Sequence, residues 1–174
     1  MPRESKVSFI VDTNIIIYDV LEGITPFSRT LGFFFKEAKD HGYTLCITQQ
    51  ILDEVKSILK DILNYSVEVY RDLREYLRKC SSKHHKSHAL PLIDSFFKEK
   101  HNALSKQKGE LSETAFERKR NQLRFLEENI VISIYGANAF TVKDAIRVVE
   151  NLMRTLMDDY ANIYAMCIHR IVKK

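Results

Sequence analysis

The chain is 174 residues long, a length that suits one domain able to bury about two-thirds of the surface its unfolded form would expose. With 45% hydrophobic and 29% charged residues, five Gly and three Pro, it is neither a disordered nor a collagen-like chain, and long helices are expected. A formal net charge of +4 is too mild to imply an anionic partner by itself, so the placement of the charge has to decide.

Residues 7 to 11 form a short apolar run rich in β-branched side chains, the pattern of a strand buried on both faces of a parallel sheet. That strand ends near Asp12. Phe27, Leu31, Phe34, Phe35 and Ala38 recur at helical spacing, with Pro26 suited to a first helical turn and Gly42 just past the end. Tyr43 to Thr48, "YTLCIT", returns to the strand pattern. The following "QQILDEVKSILKDIL" sets Ile51, Leu52, Val55, Ile58, Leu59 and Ile62 on one helical stripe. Strand, helix, strand, helix predicts a parallel sheet with right-handed crossovers.

From about residue 65 to 126 the apolar residues keep a helical period, through Val69, Leu73, Tyr76 and Leu77 and again through Ile93, Phe96 and Phe97. This reads as a helical insertion. Between Arg78 and Arg124 there are twelve Lys or Arg against five Asp or Glu, so the basic surplus concentrates there. Arg118, Lys119, Arg120 and Arg124 are its densest cluster and the candidates for phosphate contact.

"IVISIY", residues 130 to 135, reads as a third strand closed by Gly136. Helical spacing then runs from Val142 to Leu156 and, after a break at Asp158 and Asp159, from Tyr160 to Ile171. The expected architecture is therefore α/β: one domain over residues 1 to 174, with a parallel sheet of about three to four strands between helical layers. Asp144, before "AIRVVENL", reads as a helix-start charge.

In an open parallel sheet the functional crevice lies beyond the carboxyl ends of the strands. Asp12 falls there, Glu54 follows the second strand by about one helical turn, and Asp158 and Asp159 are the remaining acidic candidates. Gathered carboxylates repel one another unless a cation neutralises them. A hard ion with oxygen ligands, Mg²⁺ or Mn²⁺, answers that need and supports hydrolysis of a phosphodiester.

"FIVDTNIIIY" resembles the first motif of PIN-domain ribonucleases, as found in archaeal and bacterial PIN-like proteins. "ITQQILDEV" is similar to the family's second motif and "MDDYANIYAM" to its third, so the resemblance covers residues 7 to 62 and 128 to 172. It implies a PIN-like three-layer fold and an endoribonuclease in which Asp12, Glu54 and one of Asp159 or Asp158 bind Mg²⁺ or Mn²⁺. Asn14 and Thr13 would hold the first carboxylate by hydrogen bonds. Asp159 is favoured because a helix starting there exposes Asn162 and His169 and buries Ile163. The family's closing strand, with its Thr-x-Asp motif, has no counterpart here.

Plainer readings stand beside these. Asp-Thr-Asn at a strand end also suits a turn or helix cap, and Glu54, between Asp53 and Lys56, suits a solvated helix face. His84, His85 and His88 lie in Lys- and Ser-rich surroundings and read as a basic loop, not a zinc site. RNA is the expected partner, a homodimer is allowed, and no protein partner can be read. The alternative function is a catalytically inactive PIN-like RNA-binding or assembly module. Cys46, Cys80 and Cys167, unpaired in spacing, point to reduced thiols in a cytoplasmic protein, with Cys46 and Cys167 in the core. Neither a signal peptide nor a membrane-spanning run is expected.

Overall fold

The computed structural model describes residues 8–14, 36–81 and 88–172, with the side chains of residue 45 and of 159–172 left aside. In chain order the elements are β1 (Ser8–Ile10), β2 (Thr44–Cys46), α1 (Gln49–Ser81), α2 (Ala89–Lys106), α3 (Glu113–Ala137) and α4 (Val142–Val172). The chain divides into two compact units, one of Met1–Asp61 with Ala161–Lys174 and one of Ile62–Tyr160.

In the first unit β1 and β2 pair in parallel, with Ser8, Phe9 and Ile10 opposite Thr44, Leu45 and Cys46. The Val11 amide extends the pairing by donating to the Cys46 carbonyl at 3.0 Å. A helical stretch at 36–40 ends in Gly42 at φ +68°, a conformation open to glycine without steric cost. There the Gly42 and Tyr43 amides cap the carbonyls of Lys39 and Ala38 at 3.0 and 2.9 Å. Residues 15–35, with the three isoleucines after Asn14, lie outside the described residues.

The second unit holds the long helices and most of the described core. On α1 the buried positions Val55, Leu59, Ile62, Ser66, Val69, Leu73 and Leu77 recur at three and four residues, one stripe along the helix. Within this unit Ile62, Ser66, Val69, Leu73 and Leu77 are joined by Ile93, Phe96 and Phe97 of α2, Leu123, Leu126, Ile130 and Ile134 of α3, and Val142, Ala145 and Val149 of α4. Each of the Val, Leu, Ile and Phe side chains among them contributes about 1.5–3 kcal/mol on full burial. Polar ties fix the partners. Tyr70 donates to the Leu126 carbonyl at 3.1 Å, Gln122 to Ser66 at 2.7 Å, and Arg78 to Glu150 at 3.0 Å. Between the helices, the Ala89 amide donates to the Phe140 carbonyl at 2.7 Å, and His88 bridges Thr141.

The expected α/β architecture is overturned: the protein is mostly helical, and among the described residues the sheet has two strands of three residues each. "IVISIY" lies inside α3, where Ile130 and Ile134 are buried and Ile132 is 69% exposed. A strand would turn all three to one face, whereas a helix groups only positions four apart. Residues 65–126 are largely helical, as expected, and among the described residues no strand follows them. Nor does the chain break at Asp158, because α4 runs through both aspartates. Strand β1 is not buried on both faces either, since Ile10 is 72% exposed. Cys46 is exposed instead of core, and the Cys167 side chain lies outside the described residues.

Candidate carboxylate site at the end of the strand pair

The parallel pairing sets the carboxyl ends of β1 and β2 side by side, so the segments that leave them begin from the same rim. Thr48, directly after β2, caps α1: its hydroxyl accepts from the Ile51 amide at 3.2 Å and its carbonyl from the Leu52 amide at 3.1 Å. That cap starts α1 at the rim and sets Glu54 in the second turn. After β1 the backbone turns helical at Thr13.

The two segments meet through side chains. The Thr13 hydroxyl, buried itself, donates to Glu54 Oε2 at 2.6 Å. Gln50 Nε2 donates to the other carboxylate oxygen at 3.4 Å, a long contact from one turn before. Asp12 is exposed, and its Oδ2 accepts from the Asn14 backbone amide at 3.3 Å. The bond that braces Asp12 therefore comes from the main chain of Asn14, in the manner of a helix cap. Thr13 serves Glu54, where Asp12 was the expected acceptor.

Asp12 and Glu54 thus share one rim as exposed carboxylates. Each has lone pairs beyond the bonds named here, because a carboxylate offers about four acceptor positions. An all-oxygen donor set with two carboxylates suits Mg²⁺ or Mn²⁺, which retains several waters and accepts substrate oxygens. Among the described residues no group of three or more His, Cys, Asp or Glu is placed to hold a metal. Asp158, in the helical unit, is exposed on α4, and the Asp159 side chain lies outside the described residues.

The basic candidates all lie on α3. Arg124 is exposed; Arg120 pairs with Glu117 at 2.6 Å; Arg118 is half-buried. Lys119 Nζ stands 5.4 Å from the centre of the Tyr65 ring. Burial, with Glu68 adding to it, pushes the Tyr65 hydroxyl up to about 12. Asp144 belongs to a capping arrangement, its carboxylate accepting from the Thr141 hydroxyl at 2.9 Å and its amide donating to the same hydroxyl at 3.2 Å. His88 packs its ring against Phe140 at 5.3 Å, and His84 and His85 lie outside the described residues.

Gln50 was not anticipated as part of the site, although its position four residues before Glu54 on a helix was a sufficient signal. The Thr13 to Glu54 bond spans 41 residues of sequence and has no local signal. No helix among the described residues is long and apolar enough to cross a membrane. No protein-family model matches the chain, and no curated protein or solved structure does either.

Proposed function

We propose that Asp12 and Glu54 form the carboxylate site of a metal-dependent endoribonuclease that resembles PIN-domain ribonucleases in its active-site motifs. The observation that carries the reading is the Thr13 to Glu54 hydrogen bond of 2.6 Å, which ties the first motif to the second at the rim of a parallel strand pair. Bound there by Asp12 and Glu54, Mg²⁺ or Mn²⁺ would supply an activated water and neutralise charge developing on the phosphodiester. Thr13 and Gln50 hold the Glu54 carboxylate in orientation, and the Asn14 amide orients Asp12. Arg124, with Arg118, Lys119 and Arg120, is proposed to contact RNA phosphates, and the cysteine usage supports a cytoplasmic location.

The second reading, a noncatalytic RNA-binding or assembly module, is favoured by the same bond in another light. Thr13 and Gln50 already engage both oxygens of Glu54, as they would in a purely structural tie. Cleavage of labelled single-stranded RNA with Mn²⁺ separates the two. The nuclease reading expects cleavage that Asp12→Asn and Glu54→Gln each lower at least about a hundredfold, roughly 2.7 kcal/mol of barrier. RNA binding without cleavage by the parent chain supports the module instead.

A further inference from the structure

In the first unit, Phe9 of β1, Tyr43 just before β2 and His41 after the 36–40 helical stretch surround a concavity of 260 Å³, lined also by Ala38 and Glu37. Phe9 and Tyr43 meet edge to face, their centroids 5.3 Å apart and their planes at 78°. His41 lies nearly parallel to Tyr43, 5.9 Å away at 14°. Its Nδ1 sits 2.8 Å from the Glu37 carbonyl oxygen and 3.7 Å from the Glu37 carboxylate, so the ring is held from the preceding turn. Phe9 is 39% and Tyr43 41% exposed, which leaves ring surface open to solvent.

Pockets for drug-sized ligands begin at about 300 Å³. A slightly smaller concavity walled by aromatic rings suits one flat ring system. We propose that it receives a single unstacked nucleobase of RNA, guanine in preference to the others; the choice of RNA rests on the ribonuclease reading. Aromatic side chains stack on bases of any sequence, which gives affinity without selectivity. Selectivity comes from Glu37, whose carboxylate only accepts hydrogen bonds when ionised. Guanine alone among the four bases presents two adjacent N–H donors on its pairing edge, matching the two oxygens. Lys36 and Lys39, exposed on the same helical stretch, supply cations for flanking phosphates. Phe9 and Asp12 are three residues apart on one strand path, about 10 Å, so a base seated at Phe9 brings a neighbouring phosphate toward Asp12 and Glu54.

The test is equilibrium binding in EDTA to the full chain carrying Asp12→Asn, followed by NMR, so that neither metal nor cleavage enters. The probes are GMP, AMP, CMP and UMP, with ribose 5-phosphate as the baseless control. GMP is expected to bind at least about tenfold more tightly than ribose 5-phosphate. Tyr43→Leu should abolish that difference, Tyr43→Phe should keep it, and Glu37→Gln should erase the preference for GMP over AMP while both still exceed the control. Equal binding of GMP and ribose 5-phosphate, base-dependent binding that survives Tyr43→Leu, or its loss in Tyr43→Phe overturns the base site. A GMP preference that survives Glu37→Gln overturns the role of Glu37. If base binding follows the expected pattern while the parent chain cleaves no RNA, the nuclease reading falls and the base site stands.

Discussion

The Thr13 hydroxyl donates to the Glu54 carboxylate at 2.6 Å, joining the segment after β1 to the second turn of α1. A hydrogen bond to an ionised acceptor is worth about 1.5–3 kcal/mol where water is excluded, and Thr13 is buried while Glu54 is exposed. A coupling below that range, about 1 kcal/mol, is therefore expected between Thr13→Val and Glu54→Gln in a double-mutant cycle. Hydrogen exchange at the Val11 amide, which bonds to Cys46 across the strand pair, reads the local effect. Thr13→Val should speed it, and unchanged exchange would mean that the bond does not hold the strands together.

Isoleucines 130, 132 and 134 decide between strand and helix in a way any denaturation experiment can follow. Ile130→Ala and Ile134→Ala should each cost about 2–5 kcal/mol, since both side chains are fully buried. Ile132→Ala, at a position 69% exposed, should stay within about 0.5 kcal/mol. Similar losses at all three positions would be the signature of a strand.

The contrast at these residues shows what was legible beforehand. Around the strand pair the sequence was readable where its signals are local: a β-branched run at β1, a glycine past a helical stretch, and the apolar stripe that opens α1; the Thr48 cap was not read. "IVISIY" was not, because six residues of which five are apolar satisfy both periods, and only the partners that bury Ile130 and Ile134 choose between them. The unbroken passage of α4 through Asp158 has a similar cause. Two aspartates suggest a helix start, but mid-helix they cost only a modest propensity penalty when exposed, as Asp158 is. Of the candidate site, the motifs singled out Asp12 and Glu54, which follow the paired strands at one rim, and the tertiary bond gave Thr13 a different acceptor from the one expected.

Gln122 is 2% exposed, its Nε2 donates to Ser66 at 2.7 Å, and its Oε1 has no hydrogen-bond partner among the described residues. A buried unpaired acceptor costs about 1–3 kcal/mol. Ser66→Ala alone should destabilise by about 1–2 kcal/mol, because it orphans the Gln122 amide as well. Ser66→Ala with Gln122→Leu should recover at least that loss, as removal of both partners often does. Urea titrations of the three chains check the order.

Alkaline pH should weaken the helical unit. Burial first, and Glu68 second, raise Tyr65 from 10.0 to about 12; burial also raises Tyr70, partly offset by its bond with Asn129. A folded-state value above the unfolded one means that stability is complete below pH 10 and falls as pH rises toward 12, because the unfolded chain ionises first. Tyr65→Phe should flatten that fall, measured as unfolding free energy against pH. An unchanged slope would show that Tyr65 ionises equally in both states.

The central claim is that Asp12 and Glu54 bind one divalent ion together. Titration of Mn²⁺, with free ion read by electron paramagnetic resonance, tests it without reference to substrate. The parent chain is expected to bind Mn²⁺, with Asp12→Asn and Glu54→Gln each weakening binding at least about tenfold, or 1.4 kcal/mol. Binding that is absent from the parent chain, or unaltered in both variants, would contradict the site.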